Sequence, residues 1–99
     1  MIKRIVKMTF RADAVEHFVA EVFEQSKAQI RAFPGCRHME LLRSTRHSNV
    51  LFTLSYWDDE QALDTYRASE LFARTWERTK VLFEQRAEAW SMEVLDSPK

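Results

Sequence analysis

Apolar and polar side chains alternate along residues 2–10, the pattern of an extended strand. One side of this predicted strand carries Ile2, Arg4, Val6, Met8 and Phe10. The same two-residue alternation predicts three further strands, at 37–43, 50–57 and 87–95.

Two other stretches repeat apolar residues at helical spacing. The first follows Asp13, which begins a capping-box-like pattern, and continues for about 20 residues. It stops at the sequence FPG, residues 33–35, because proline cannot continue a helix and glycine allows a turn. The second helical stretch is predicted to open at Asp58, to break near Ser69 and to reach Phe83.

The order strand, helix, strand, strand, helix, strand predicts a ferredoxin-like α+β fold (βαββαβ), with a four-stranded antiparallel sheet and the helices on one face. We expect a single domain over residues 1–95 and a frayed tail at 96–99. Strand 50–57 is apolar on both of its faces, although one face of such a sheet is normally wet. A second copy of the chain would cover that face, so we expect a homodimer packed through its sheets.

Composition narrows the classes of partner. The chain has 99 residues, and its 15 basic side chains balance 15 acidic ones. No overall charge therefore favours nucleic acid or an acidic membrane surface. There is one cysteine, no apolar run long enough to span a membrane and no signal-peptide pattern, so we expect a soluble cytoplasmic protein.

The segment FPGCRHMELLR, residues 33–43, holds candidate metal ligands. Two-residue alternation puts Cys36, His38 and Glu40 on one strand face, but successive residues on a face are nearly 7 Å apart. Three such side chains cannot reach one ion at zinc-ligand distances, so no metal is expected. Cys36 follows a helix end, where a thiolate is not stabilised, and is interpreted as a packed apolar residue. His38 is interpreted either as a general base or as a solvated sheet residue.

The order of elements, the junction FPGC followed by ELLR, and the passage FTLSYWDDEQALDTYRASELF resemble the antibiotic biosynthesis monooxygenase superfamily of dimeric α+β barrel proteins. The similarity covers roughly Ile2 to Leu95. The superfamily includes cofactor-free oxygenases of phenols and quinols and also heme-degrading enzymes. The heme-degrading pattern is not met, because the first strand has no asparagine and Trp76 occupies the position of the iron-binding histidine.

The resemblance implies a monooxygenase of small aromatic or quinol-like compounds that uses neither metal nor flavin. It places Tyr66 at the cavity, and Tyr66 and His38 are the candidate catalytic residues. Cofactor-free oxygenation needs an apolar cavity without water and one polar group that binds the substrate hydroxyl. The candidate walls of this pocket are Phe18, Phe23, Trp57, Phe72, Trp76 and Phe83. Two alternatives stay open. The aromatic residues are ordinary core, or the protein is a non-catalytic dimeric module of the same fold that binds a small apolar aromatic ligand or serves as an accessory subunit.

Overall fold

Four antiparallel strands and three helices form the computed structural model, which describes residues 1–98. The strands are β1 (Ile2–Phe10), β2 (Cys36–Arg43), β3 (Val50–Trp57) and β4 (Phe83–Glu93). They pair in the order β2-β3-β1-β4, and the predicted ferredoxin-like fold is confirmed. None of the helices within residues 1–98 is long and apolar enough to cross a membrane.

The first helix, α1 (residues 15–31), is irregular. A 3-10 turn at Ala12–Ala14 precedes it, and its middle is π-helical at Phe18–Phe23 before regular α-helix resumes at Glu24–Arg31. The predicted capping box at Asp13 is wrong, because Asp13 lies inside the 3-10 turn and no side chain caps either helical start. Packing of the apolar face therefore stabilises this end of the helix without a side-chain cap.

The second helical stretch consists of two helices, α2 (Glu60–Arg67) and α3 (Glu70–Lys80). The predicted break near Ser69 is confirmed, since the Ser69 hydroxyl oxygen accepts a hydrogen bond from the Phe72 amide at 3.1 Å and caps α3.

The start of α2 differs by one residue from the prediction. Asp59, and not Asp58, is the cap, and its carboxylate accepts a hydrogen bond from the Ala62 amide at 2.8 Å. The Asp58 carboxylate instead accepts hydrogen bonds from Arg37, which hold its pKa below the usual range. The sequence offers two consecutive aspartates as the helix cap. Arg37 binds the first of them, so the second one caps α2.

The last strand starts earlier than predicted. Phe83 begins β4 and does not belong to the preceding helix, and the strand ends at Glu93. The pairing of β4 with β1 shifts twice near Thr9, so extra residues on β4 interrupt the alternation from which a strand is recognised. Residues 94–98 have no helix or strand, and the predicted fraying of the 96–99 tail stays a prediction, since Lys99 lies outside the described residues.

A bulge at the start of β2 separates two residues that the sequence placed together. Cys36 pairs with Trp57 and His38 with Tyr56, so Arg37 is an extra residue in the ladder. Directly paired residues lie on the same side of a sheet, which puts Cys36 on the helix side and His38 on the opposite side. The predicted common face of Cys36 and His38 is therefore wrong.

The helices cover one face of the sheet, which we call the inner face. The other, outer face carries no helix. The main core cluster on the inner side consists of Met8, Phe10, Val15, Phe18, Val22 and Leu51.

We predict that Gly35→Ala lowers the free energy of unfolding by about 2 kcal/mol or more. Gly35 has φ 88°, and a Cβ atom there would lie 2.5 Å from the Cβ of Ala62. Urea denaturation of the variant beside exposed Pro34→Ala, expected to cost less than about 1 kcal/mol, measures the difference. An equal decrease in the free energy of unfolding in both variants would mean that the turn at Gly35 and α2 can move apart to admit a Cβ atom.

Candidate functional site

A cavity of about 310 Å³ lies between the inner face of the sheet and the helices. This volume is at the lower end of those that hold small organic ligands, and it suits one or two fused rings. Small side chains leave the space open, because Val6, Ala87 and Ala89 line the cavity where longer residues would fill it. Its aromatic lining consists of Phe18, Phe23, Trp57, Tyr66, Phe72 and Trp76.

The π-helical stretch of α1 brings two of these aromatic residues to the cavity. Phe18 and Phe23 are five positions apart, a spacing that a regular α-helix of 3.6 residues per turn would direct to different faces. The wider π turn places residues five apart nearly above one another. Both rings line the cavity, with centroids 6.3 Å apart. The irregularity of α1 therefore shapes one wall of the cavity.

Aromatic rings on α2, α3 and the sheet continue that wall. Trp57 and Tyr66 stack with centroids 4.8 Å apart, and Tyr66 meets Phe72 edge to face at 5.3 Å. Phe72 then stacks on Trp76 at 5.9 Å. Pairs in these geometries contribute more than their buried area alone, so the wall is held in one arrangement.

Tyr66 is the phenol of this wall. Its burial raises its pKa to about 12, so the hydroxyl stays protonated in the physiological pH range. A protonated phenol can donate a hydrogen bond to an oxygen of a ligand but is not a base. Tyr66 therefore suits stabilisation of negative charge on a bound molecule.

The hydroxyl groups near the cavity are partly engaged by the protein itself. Ser26 and Thr79 each donate to the carbonyl one turn earlier in their helix, at 2.7 Å in both cases. The indole N–H of Trp57 donates to the Ser55 hydroxyl oxygen at 2.9 Å, which leaves the Ser55 proton available to another acceptor.

Two arginines in the cavity lining were not singled out from the sequence. Arg4 lies on the inner face of β1 and donates to the Ser91 hydroxyl at 2.9 Å, and Arg67 is the last residue of α2. Burial lowers the pKa of Arg4, and the charge of Arg67 lowers it further. The signal for Arg4 was a charge among inward apolar positions of β1, whereas Arg67 had no comparable signal.

Five of the six predicted wall residues line the cavity, and Phe83 does not. Its ring packs behind the wall, 5.6 Å from Trp76 and 5.3 Å from Phe10. The displacement follows from the early start of β4, which puts Phe83 on the sheet beside Phe10 and not on the helix.

His38, the second predicted catalytic residue, lies on the outer face. Its Nε2 is 3.1 Å from a Glu40 carboxylate oxygen, and its ring is 4.7 Å from that of Tyr56. The sheet therefore separates His38 from the cavity. Among residues 1–98, no three His, Cys, Asp or Glu side chains lie together as metal ligands would. Burial raises the pKa of Cys36, which disfavours its thiolate.

The model of the family "Antibiotic biosynthesis monooxygenase" matches residues 1–78, and the chain belongs to this family. No curated protein shows significant sequence similarity to the chain.

Solved structures share the fold over nearly the whole chain. Rv0793 from Mycobacterium tuberculosis is 21% identical with a TM-score of 0.88, covering 99% of this chain and 98% of its own. PA3566 from Pseudomonas aeruginosa is 22% identical with a TM-score of 0.80, covering 96% and 94%. SnoaB from Streptomyces nogalater, described as a cofactor-independent oxygenase, is 20% identical with a TM-score of 0.83, covering 97% and 94%. At these identities the likeness shows the fold alone.

We predict that truncating two tryptophans has unequal effects on stability. Trp57 is 1% exposed, so Trp57→Ala should lower the free energy of unfolding by about 3–5 kcal/mol. Trp76 is only half-buried and borders open space, so Trp76→Ala should cost about half as much or less. Chemical denaturation of both variants tests this, and equal losses would mean that Trp76 is core and not cavity wall.

Proposed function

We propose that the protein is a cofactor-independent monooxygenase of small aromatic, quinol-like compounds. The observation that carries this proposal is the aromatic-lined cavity with the protonated Tyr66 hydroxyl in its wall. Membership of the family and the oxygenase description of the structurally similar SnoaB support it. We expect the protein to act in the cytoplasm, where a single cysteine stays reduced.

The reaction that fits such a cavity uses the substrate as its own reductant. A phenol or naphthohydroquinone loses a proton, and its electron-rich anion passes one electron to oxygen. The resulting radical and superoxide combine into a peroxide on carbon. The O–O bond then breaks with loss of water and leaves a carbonyl, so that one oxygen atom enters the product and the other becomes water.

The protein contributes binding, a largely apolar surrounding and one hydrogen bond. The aromatic walls hold the substrate ring by stacking, and the largely apolar lining strengthens electrostatic contacts next to it. Tyr66 donates to the oxygen on which negative charge develops. No carboxylate or imidazole is among the described residues that line the cavity, so the substrate proton passes to water. A suitable substrate is therefore acidic enough to ionise without a protein base.

A second candidate function is a dimeric binding module without catalysis. The observation that favours it is the same lack of a carboxylate or imidazole in the described lining of the cavity. A ligand that is not acidic would then bind between the aromatic walls and leave unchanged.

We propose that the protein acts as a homodimer packed through the outer face of the sheet. This face has half-buried Ile5, Phe52 and Leu54 at its centre. Around them lie large apolar side chains that are 44–46% exposed, namely Leu42, Trp90 and Met92. Large exposed apolar side chains among charged ones, such as Lys7 and Glu88 on the same face, are typical of an interface, and a second copy would cover them symmetrically.

Oxygen uptake tests the proposed reaction. We expect chelator-treated protein to accelerate oxygen consumption with naphthohydroquinones, which have the two fused rings that the cavity suits, in a saturable way, above autoxidation. Tyr66→Phe should lower kcat about tenfold to a thousandfold, because it removes the donor to the developing oxyanion. The matched control is Tyr56→Phe on the outer face, which should retain the wild-type rate. Equal rates in wild type and Tyr66→Phe would remove Tyr66 from the mechanism, and no acceleration by folded protein would favour the binding module.

Light scattering tests the dimer. We expect a mass of two chains at micromolar concentration, and Leu54→Arg should shift it to one chain by placing a charge in the centre of the outer face. Val81→Arg is the control, since Val81 follows α3 and is already 62% exposed. A monomeric wild type would contradict the proposal.

A further inference from the structure

Two guanidinium groups face the same cavity, and the proposed reaction does not use them. Arg4 reaches it from the middle of the sheet, where its strand position pairs with Ser55 on one side and Ser91 on the other. Arg67 reaches it from the end of α2, directly after Tyr66. The two arginines therefore lie on opposite layers of the fold and converge on one space.

Their charges are not balanced by the protein. Neither guanidinium forms an ion pair with a carboxylate anywhere in residues 1–98. The cavity lining in that part of the chain has no acidic side chain at all. Arg4 is half-buried and is repelled by the positive charge of Arg67. Both effects raise the free energy of the charged Arg4 in the protein without a ligand. A bound anion would remove this repulsion and replace the lost hydration.

We propose that Arg4 and Arg67 bind the carboxylate of a hydroxylated aromatic acid, and this proposal rests on the proposed oxygenase function. Guanidinium groups present planar sets of N–H donors that match a carboxylate. The hydrogen bond to Ser91 orients Arg4 and uses only one of its donors. The substrate hydroxyl then lies towards Tyr66.

The carboxylate, and not the reacting oxygen, is the group that suits the arginines. A guanidinium on a phenolate would form an ion pair, which stabilises the phenolate electrons more strongly than the neutral hydrogen bond from Tyr66 and opposes their transfer to oxygen. A carboxylate takes no part in that transfer, so binding it orients the ring without slowing the chemistry. The cavity volume of about 310 Å³ restricts the acid to one or two rings.

Binding of matched probes tests the proposal without relying on turnover. The probes are an ortho-hydroxynaphthoate, its primary amide and the naphthol that lacks the group, titrated by calorimetry into the full chain. We expect the acid to bind at least tenfold more tightly than the amide, a preference that weakens with added salt. Arg67→Gln and Arg4→Gln should abolish the preference and leave the affinity for naphthol nearly unchanged.

The control variant is Arg74→Gln, because Arg74 is exposed on α3 and does not line the cavity. It should keep the wild-type preference. Arg67 is also exposed, so its replacement should not affect folding. If Arg4→Gln is destabilised, the binding preference of Arg67→Gln alone tests the proposal.

The outcomes separate this proposal from the proposed function. Equal binding of acid and amide overturns the carboxylate site. An equal loss of acid and naphthol binding in the arginine variants also overturns it, because the arginines would then hold the shared hydroxyl. Arginine-dependent preference without oxygen uptake supports the site while the oxygenase function fails. If none of the three probes binds, the carboxylate site is overturned together with the ligand cavity.

Discussion

The structure depends on a chain of aromatic contacts that joins the sheet to all three helices. It runs from Phe33 through Trp57 and Tyr66 to the rings on α3, and then through Phe83 and Phe10 to Phe18. Phe10 and Phe18 meet their neighbours at tilted angles, and each of the other rings in the chain has a neighbour in edge or stacked geometry. The walls therefore keep their positions although space remains between them. A small domain buries few residues, and a cavity removes some of the packing contacts among them. The contacts between large rigid rings compensate for this loss.

The bulge at Arg37 divides the chemistry of the protein between two sides of the sheet. It turns Cys36 towards the helices and leaves His38 outside with Glu40. The inner side then has apolar rings, one neutral phenol and two arginines. The weak acids on the inner side include a phenol whose pKa is raised by burial and a thiol whose pKa is raised for the same reason. Such a site can stabilise an anion but has no base to produce one, so the proposed oxygenase function requires substrates that ionise readily.

The charge of the cavity and its shape act on different parts of a ligand. Stacking surfaces select flat rings with little regard for their substituents, because every aromatic system has a face. Arg4 and Arg67 add a directional preference for an anionic group at one position. At half-buried Arg4 such a preference is stronger than at the surface, since water competes less for its guanidinium donors. Discrimination among aromatic ligands would then depend more on these two residues than on the walls.

Hydrophobic periodicity by itself determined the element order, the ferredoxin-like fold and the break at Ser69, because these follow from local spacing and capping. It also placed Arg4 on the same side of β1 as Val6 and Met8, and the resemblance to the family singled out Tyr66. Hydrophobic periodicity did not determine the register of the strands. A one-residue bulge reverses the side on which a residue lies, and this reversal separated His38 from Cys36. The early start of β4, which moved Phe83 behind the wall, and the meeting of Arg4 with Arg67 arise from pairing between distant segments. Only the tertiary structure determined these two features, because no local sequence pattern specifies which residue of another strand or helix a strand residue will contact.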